Sequence, residues 1–398
     1  MDLHSGACFW PLVNGLGLVV PPLDRDLACD VAVIGAGITG ALLADAMTRA
    51  GLSVAALDRR DVGEGSTAAS TALLMYDIDT PLHRLRERIG RADAERAYAI
   101  GVESTRGLSR LCAELGVECA EPGSIYFVRD DERVDDLRAE FAARREAGLE
   151  VEWADRARLE SEWGVRAAGG IVSASAAEAD PFHLCHALLR RAIGAGAAVH
   201  DRTTVTEIEV LDGGVALHTD RGPRVRARWV AHATGFEAAA SLPRGVVDLV
   251  STYALATEPT APAPGRWADR RMLWEMADPY LYLRWRGDRL IAGGADVPFR
   301  NERLRDRLIG AKAASILKDL GALLPGVALE TAFAWTGTFG ATRDGLGYIG
   351  APQGRERELF ALGFGGNGIT FSHAASAMLT DHVLGRANAD ARLFRFGR

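Results

Sequence analysis

The chain has 398 residues, beyond the ~250–300 at which a single hydrophobic core stops growing, so two packed units are expected. Its 48% hydrophobic and 25% charged residues describe an ordinary globular protein, and 44 glycines point to several tight backbone sites. A net charge of -7 argues against nucleic acid, whose phosphates need a concentrated positive field, and leaves small molecules as the expected ligands.

Residues 1–27 end in Pro21-Pro22-Leu23-Asp24 and read as an extended lead-in, because adjacent prolines cannot sit inside a helix. Residues 28–60 read as strand, helix, strand: the apolar run 31–34, a glycine turn, a helix with Leu42, Leu43, Ala46, Met47 and Ala50 on one face, then 54–57. Gly51 supplies a left-handed helix cap, and the βαβ crossover forces a parallel sheet. Helices are expected at 84–116, 131–147 and 183–193, the last introduced by Asp180-Pro181, with a strand at 124–128. Strands at 203–210 and 215–219 flank Asp212-Gly213-Gly214, which has hairpin chemistry, and 229–233 leads into Thr234-Gly235. Residues 241–332 are rich in strands, among them 280–285 and 290–292, with one helix at 302–324. A final helix is expected at 371–384.

Cys8, Cys29, Cys112, Cys119 and Cys185 are odd in number and form no CxxC pair, which suits a reducing compartment and gives no metal site by spacing. His183 and His186 are three apart on a helix without a third ligand, and are expected to serve packing or surface roles. No apolar run approaches the ~18 residues of a membrane span, and the opening residues lack a signal-peptide layout. A cytoplasmic protein without membrane contact is expected.

Gly35-Ala36-Gly37-Ile38-Thr39-Gly40 matches GxGxxG directly after a strand and at the opening of a helix. Gly35 makes the tight turn, Gly37 lets the backbone approach a pyrophosphate, and Gly40 permits close helix-to-strand packing. The helix start offers free N–H groups and a positive dipole end to phosphates. The second strand ends in Asp58, 23 residues after Gly35, where a carboxylate accepts from ribose hydroxyls. This fingerprint predicts dinucleotide binding and does not separate FAD from NAD.

The stretch from Asp30 to Asp58, the loop Gly65-Ser66-Thr67-Ala68-Ala69-Ser70-Thr71 and the late Gly363-Phe364-Gly365-Gly366-Asn367-Gly368-Ile369-Thr370 together resemble the D-amino-acid oxidase family of FAD-dependent oxidoreductases. Asp180-Pro181, Ala233-Thr234-Gly235 and Thr342-Arg343-Asp344-Gly345 extend the resemblance over nearly the whole chain. Ser66 to Leu82 and Trp335-Thr336-Gly337-Thr338 are similar to the gamma-glutamylputrescine oxidase-like members. The resemblance implies an α/β fold, α+β overall: a Rossmann-type FAD-binding domain (28–87, 180–240, 333–398) interleaved with a substrate domain on a mixed, largely antiparallel sheet (88–179, 241–332). It places the cofactor against Gly35 to Gly40, Asp58, Arg59, Ser66, Thr67, Ala69, Ser70, Thr71, Thr234, Gly235 and Asp344. Val205 would meet the adenine side, and Gly365, Gly366, Asn367, Gly368, Ile369 and Thr370 would cover the pyrimidine edge of the flavin. That last placement has its own physical reason, since a glycine turn opening a helix aims N–H groups where negative charge develops on reduction. The same turn also reads as a plain helix cap with Thr370. The histidine or cysteine through which some relatives attach flavin is absent from the loop 65–71 and from 331–345, so non-covalent FAD is implied.

On the substrate side, period-two alternation puts Tyr280, Tyr282 and Arg284 on one strand face, and with Trp335 these are pocket candidates, although the same spacing also describes sheet packing. The carboxylate-holding arginines of glycine oxidase-like and sarcosine oxidase-like members fall at Phe339 and Met75, so a small α-amino acid is disfavoured unless Arg284 replaces them. Asp77, Asp79 and Glu275 would hold a cationic amine, or are solvated carboxylates. The lysine that activates oxygen in sarcosine oxidase-like members falls at Ile291. The expected reaction is oxidation of a C–N bond by hydride transfer to flavin N5, with O2 returning as H2O2. The alternatives are a dehydrogenase or hydroxy-acid oxidoreductase with another electron acceptor, and a flavin-binding protein without turnover.

Overall fold

The computed structural model describes residues 2–243, 245–262 and 265–398. The expected βαβ unit is formed by the strand Leu27–Ile34, the helix Ile38–Arg49 and the strand Val54–Leu57. The two strands are parallel, with Val31 opposite Val54. Every residue of Val54–Leu57 is buried, as a parallel strand covered on both faces requires. Leu42, Leu43 and Met47 bury the inner side of the helix, which packs against the helices Pro181–Gly194 and Gly368–Val383.

Among the described residues this unit belongs to an eight-stranded sheet. Its order is Ala198–His200, Val54–Leu57, Leu27–Ile34, Arg224–His232, Gly214–Thr219, Val205–Leu211, with Glu358–Leu362 also pairing Arg224–His232 and carrying Tyr348–Gly350. A nine-stranded sheet forms the second layer, in the order His4–Gly6, Thr331–Ala341, Asp248–Thr257, Arg289–Pro298, Tyr282–Arg286, Met272–Glu275, Ser124–Val128, Gly169–Ser173, Val151–Asp155. It is antiparallel throughout except between Met272–Glu275 and Ser124–Val128. The mixed, largely antiparallel sheet is thus present. Segments of the two sheets alternate along the chain. The expected boundary at 333 falls inside Thr331–Ala341, which pairs along its length with Asp248–Thr257.

Four local expectations change, the first being that the helix expected at 84–116 is two, Leu82–Ile89 and Arg91–Leu115, broken at Gly90. The lead-in carries regular structure, since His4–Gly6 adds a strand beside Thr331–Ala341 and Phe9–Asn14 is helical. Gly15 to Asp26 form neither helix nor strand. The helix expected at 302–324 is two, Glu302–Arg307 and Ile309–Leu323. Arg305 in the first of them is buried and donates to the Thr338 hydroxyl and the Asp2 carbonyl. Tyr280 precedes its strand, which begins at Tyr282. No helix among the described residues is long and apolar enough to cross a membrane.

Candidate active site

A cavity of ≈ 390 Å³ lies between the glycine turn that follows Leu27–Ile34 and the nine-stranded sheet. At the turn, Gly35 has φ +102°, and a Cβ there would stand 2.4 Å from the Ala233 carbonyl oxygen. A Cβ on Gly40 would stand 1.9 Å from the Gly35 carbonyl oxygen, so the helix meets its own turn backbone to backbone. The Asp58 carboxylate accepts from the backbone N–H of Ala36 (2.7 Å) and of Arg60 (2.8 Å). Burial pushes its pKa up and those two amides oppose the shift. Asp58 therefore braces the glycine turn as well as facing the cavity.

The loop after the second strand crosses over this turn. The Thr67 hydroxyl accepts from the Ile38 N–H (2.8 Å), one of the amides a helix start leaves without an internal partner. A Cβ on Gly37 would come within 3.0 Å of that hydroxyl. Thr39 and Ser372, on two different helices, join their hydroxyls at 2.7 Å on the cavity wall. Ser66 Oγ is buried and has no hydrogen-bond partner among the described residues. Arg59 and Arg60 both reach the Glu237 carboxylate. An open glycine turn, a helix start, an acid at the second strand's end and an orphaned buried hydroxyl are donors and acceptors suited to a dinucleotide, so the residues fit FAD.

Of the residues expected at the cofactor, Gly35, Gly37, Ile38, Thr39, Asp58, Arg59, Ser66, Thr67, Ala69, Ser70, Thr71, Val205, Thr234, Gly235, Gly365, Gly366, Asn367, Gly368 and Ile369 line the cavity. Ala36 and Gly40 lie in the packing of the turn itself. Asp344 is turned away, its carboxylate held by Arg398 at 2.8 and 3.0 Å. Thr370 is fully buried off the cavity wall, whereas Ile369 and Ser372, one helical turn apart, lie on it. The helix is capped at Asn367 without a side-chain bond, so Thr370 is not its cap.

The substrate candidates divide. Tyr280 and Tyr282 line the cavity with ring centroids 5.7 Å apart, and Trp274 stands edge-on to Tyr280 at 5.6 Å. Burial holds both phenols protonated, pushing Tyr282 up to about 12 and Tyr280 well above its ordinary value. Arg284, two residues or about 7 Å further along the strand, has passed the end of the cavity. It is buried against Glu178 (3.2 Å), the Ala179 carbonyl (3.0 Å) and the Trp10 ring. Glu275 lies outside the cavity on an Arg129 ion pair at 2.9 Å, while its neighbour Trp274 lines it, the ordinary alternation of a strand. Trp335 sits behind the loop 65–71 and donates its indole N–H to the Ala69 carbonyl (2.8 Å). Asp77 is fully enclosed and paired with Arg144 at 2.6 Å. Ile291 is likewise a core residue.

Asp79 lines the cavity beside Gly365, Gly366 and the Tyr280 hydroxyl. Its Oδ2 accepts from the Gly366 N–H (3.3 Å), and burial raises its pKa to about 6. Met75, Phe339 and Phe364 line the cavity too, as do Leu3, Thr203, Thr204, Phe236 and Thr252, which the sequence reading did not single out. Alternation from Glu275 would have found Trp274, and a helical step from Ile369 would have found Ser372. Leu3 carries no such signal, because it reaches the cavity only through sheet pairing of the lead-in.

A nucleotide-suited turn and an aromatic wall facing one cavity are the arrangement of a dinucleotide-dependent oxidoreductase, which holds its cofactor in one layer and its substrate against it from the other. The chain belongs to the FAD dependent oxidoreductase (DAO) family, which matches residues 30–382. Glycine oxidase of Geobacillus kaustophilus (strain HTA426) is 25% identical over 372 residues, covering 89% of this chain and 92% of that protein. Gamma-glutamylputrescine oxidoreductase of Escherichia coli (strain K12) is 23% identical over 381 residues, covering 92% and 86%. The crystal structure of glycine oxidase from Geobacillus kaustophilus superposes with a TM-score of 0.79 over 94% of this chain and 99% of that one, at 23% identity, a likeness of fold. The protein is an FAD-dependent oxidoreductase.

Proposed function

We propose that the protein oxidises the C–N bond of a small amine, with FAD held non-covalently by the cavity residues around Gly35, Asp58, the loop 65–71 and the turn 365–369, and with O2 as electron acceptor. One observation carries the choice of an amine over an α-amino acid. Among the described residues lining the cavity, the basic side chains are Arg59 and Arg60, and both are engaged by Glu237; the wall around Tyr280 offers Trp274, Tyr282, Met75, Phe339 and the Asp79 carboxylate. A substrate carboxylate buried there would meet no cation, at a cost of several kcal/mol or more. Non-covalent attachment is supported by a lining that contains neither cysteine nor histidine among the described residues.

When bound, FAD supplies at N5 an acceptor for the hydride on the carbon next to nitrogen, with O2 taking both electrons on as H2O2. The nitrogen must be neutral for its lone pair to form the C=N bond, and the imine then hydrolyses with water. The aromatic wall favours that neutral form, because a desolvated ammonium is disfavoured. Tyr280 and Tyr282 fix the amine's position and exclude water.

An absorbance spectrum of the purified protein, repeated anaerobically after adding amines, polyamines and amino acids, tests this. The expected result is a flavin spectrum bleached by amines and not by α-amino acids, and restored by air with release of H2O2. Bleaching only by amino or hydroxy acids would overturn the amine reading. Return of colour with an artificial dye but not with air would instead make the protein a dehydrogenase.

A further inference from the structure

We propose that Asp79 holds a second, non-reacting ammonium group of the substrate, so that the preferred substrates are diamines or longer polyamines; this rests on the amine oxidation proposed above. Among the described residues three carboxylates line the cavity. Two are already engaged within the protein: Asp58 by the amides of Ala36 and Arg60, and Glu237 by Arg59 and Arg60. Asp79 has no cation partner among the described residues, and its Oδ1 is buried without a hydrogen bond. A buried carboxylate left so is costly, and a ligand cation would remove that cost.

The surroundings are shaped to admit this group. A Cβ on Gly365 would fall 1.8 Å from Asp79 Oδ2, and one on Gly366 would fall 2.7 Å from the Tyr280 hydroxyl and 3.5 Å from Asp79 Oδ1. The two glycines therefore let a carboxylate and a phenol converge on one turn. Asp278 and Asp296 add to the negative field at Asp79 and Tyr280, and Lys312 offsets part of it at Asp296.

The charge held by Asp79 is not that of the nitrogen being oxidised. A carboxylate beside an amine favours its protonated form, which has no lone pair to form the C=N bond. The reacting nitrogen belongs in the neutral aromatic part of the cavity and the second nitrogen on Asp79. A monoamine leaves the carboxylate unpaired, and an ω-amino acid brings a like charge to it.

The experiment compares anaerobic flavin reduction of the holoprotein by α,ω-diamines of three to six carbons with n-alkylamines and ω-amino acids of the same length. Diamines are expected to half-saturate the reduction on the order of 30-fold lower in concentration than the matching monoamines, the lower end for a buried charge pair. Asp79→Asn should collapse that ratio to within about threefold of unity, and Asp79→Glu, which keeps the charge, should retain part of it. Flavin absorbance and thermal unfolding of both variants establish that they are folded and loaded. A ratio near unity in the unmodified protein, or one unaltered by Asp79→Asn, overturns the inference. Bleaching by monoamines alone would leave amine oxidation standing and remove only the second site, whereas bleaching by no amine would remove both.

Discussion

At Gly40 one methyl group decides whether the dinucleotide helix can close on its turn. The Cβ of an alanine there would lie 1.9 Å from a backbone oxygen of Gly35, which cannot move aside as a flexible side chain would. Gly40→Ala is expected to destabilise the protein by about 1–3 kcal/mol or more and to weaken FAD binding. Gly321→Ala is the matched control. Gly321 lies inside the helix Ile309–Leu323 with nothing near its missing Cβ, so alanine there should stabilise by up to about 1 kcal/mol. Thermal unfolding and flavin titration of both variants test the pair, and equal effects would remove the packing role assigned to Gly40. Gly35, Gly37, Gly40 and Asp58 were legible in the sequence because their spacing is local and each has its own geometric task. Asp79 and Asp77 were not separable there. The choice depends on Arg144, brought in from a distant helix, which takes Asp77 and leaves Asp79 to the cavity. Arg284 misled for the opposite reason: alternation gives the face of a strand and not where along it the cavity ends.

Among the elements, the lead-in differs most from its sequence reading, because two prolines describe its non-helical stretch and say nothing of where residues 2–14 attach. Leu3 lines the cavity, its carbonyl accepts from the Thr338 N–H (3.0 Å), and the buried Trp10 donates to the Ser70 carbonyl (2.6 Å) on the loop 65–71. Further along, the Leu18 N–H donates to Nδ1 of His186, which is buried against Phe182. That nitrogen can accept only while unprotonated. Burial, followed by the Arg190 charge, depresses the His186 pKa to about 4, below its ordinary 6.5. A depressed histidine contributes stability that is present above its unfolded value of about 6.5 and is lost as pH falls toward 4. FAD release, followed by flavin fluorescence, should therefore accelerate as pH drops through that window. His186→Asn should flatten this dependence, and deletion of residues 2–10 should make release fast at every pH. An unaltered pH profile in His186→Asn would separate the histidine from cofactor retention.

At the scale of the whole molecule, the loop that carries Met75 and Asp79 to the cavity is held from beneath by a buried charge cluster. Arg144, on the helix Val134–Glu146, pairs with Asp77 (2.6 Å) and Glu140 (2.7 Å) and donates to the Tyr76 hydroxyl (2.9 Å), with its guanidinium also over the rings of Tyr98 and Tyr126. His83 closes the cluster by bridging Glu140 and Asp136. The Asp77 carbonyl then accepts from the Asn367 side chain (2.6 Å), which ties this cluster to the turn opening the last helix. Tyr76 and Asp77 follow a strand of the small third sheet, Leu73–Met75, while Tyr126 belongs to the nine-stranded sheet, so one arginine links three parts of the fold. Hydrophobic periodicity could not have announced this, because the cluster is assembled from segments far apart in the chain. Arg144→Ala leaves Asp77 enclosed without its cation and Glu140 with His83 alone, and is expected to cost about 3–5 kcal/mol. Arg144→Lys keeps the charge and loses the fork that reaches several partners, so it should fall between the two. Urea unfolding with FAD held saturating measures both, since cofactor binding would otherwise shift the apparent stability by mass action. In a double-mutant cycle, Asp77→Asn should weaken the effect of Arg144→Ala, because the carboxylate left unpaired is then gone. Strict additivity of the two would mean that the arginine stabilises the fold through Glu140 and the aromatic rings instead. The loop bearing Asp79 would then be held by hydrogen bonds such as those of Asn367 to the Asp77 carbonyl and of Tyr98 to the Thr80 carbonyl.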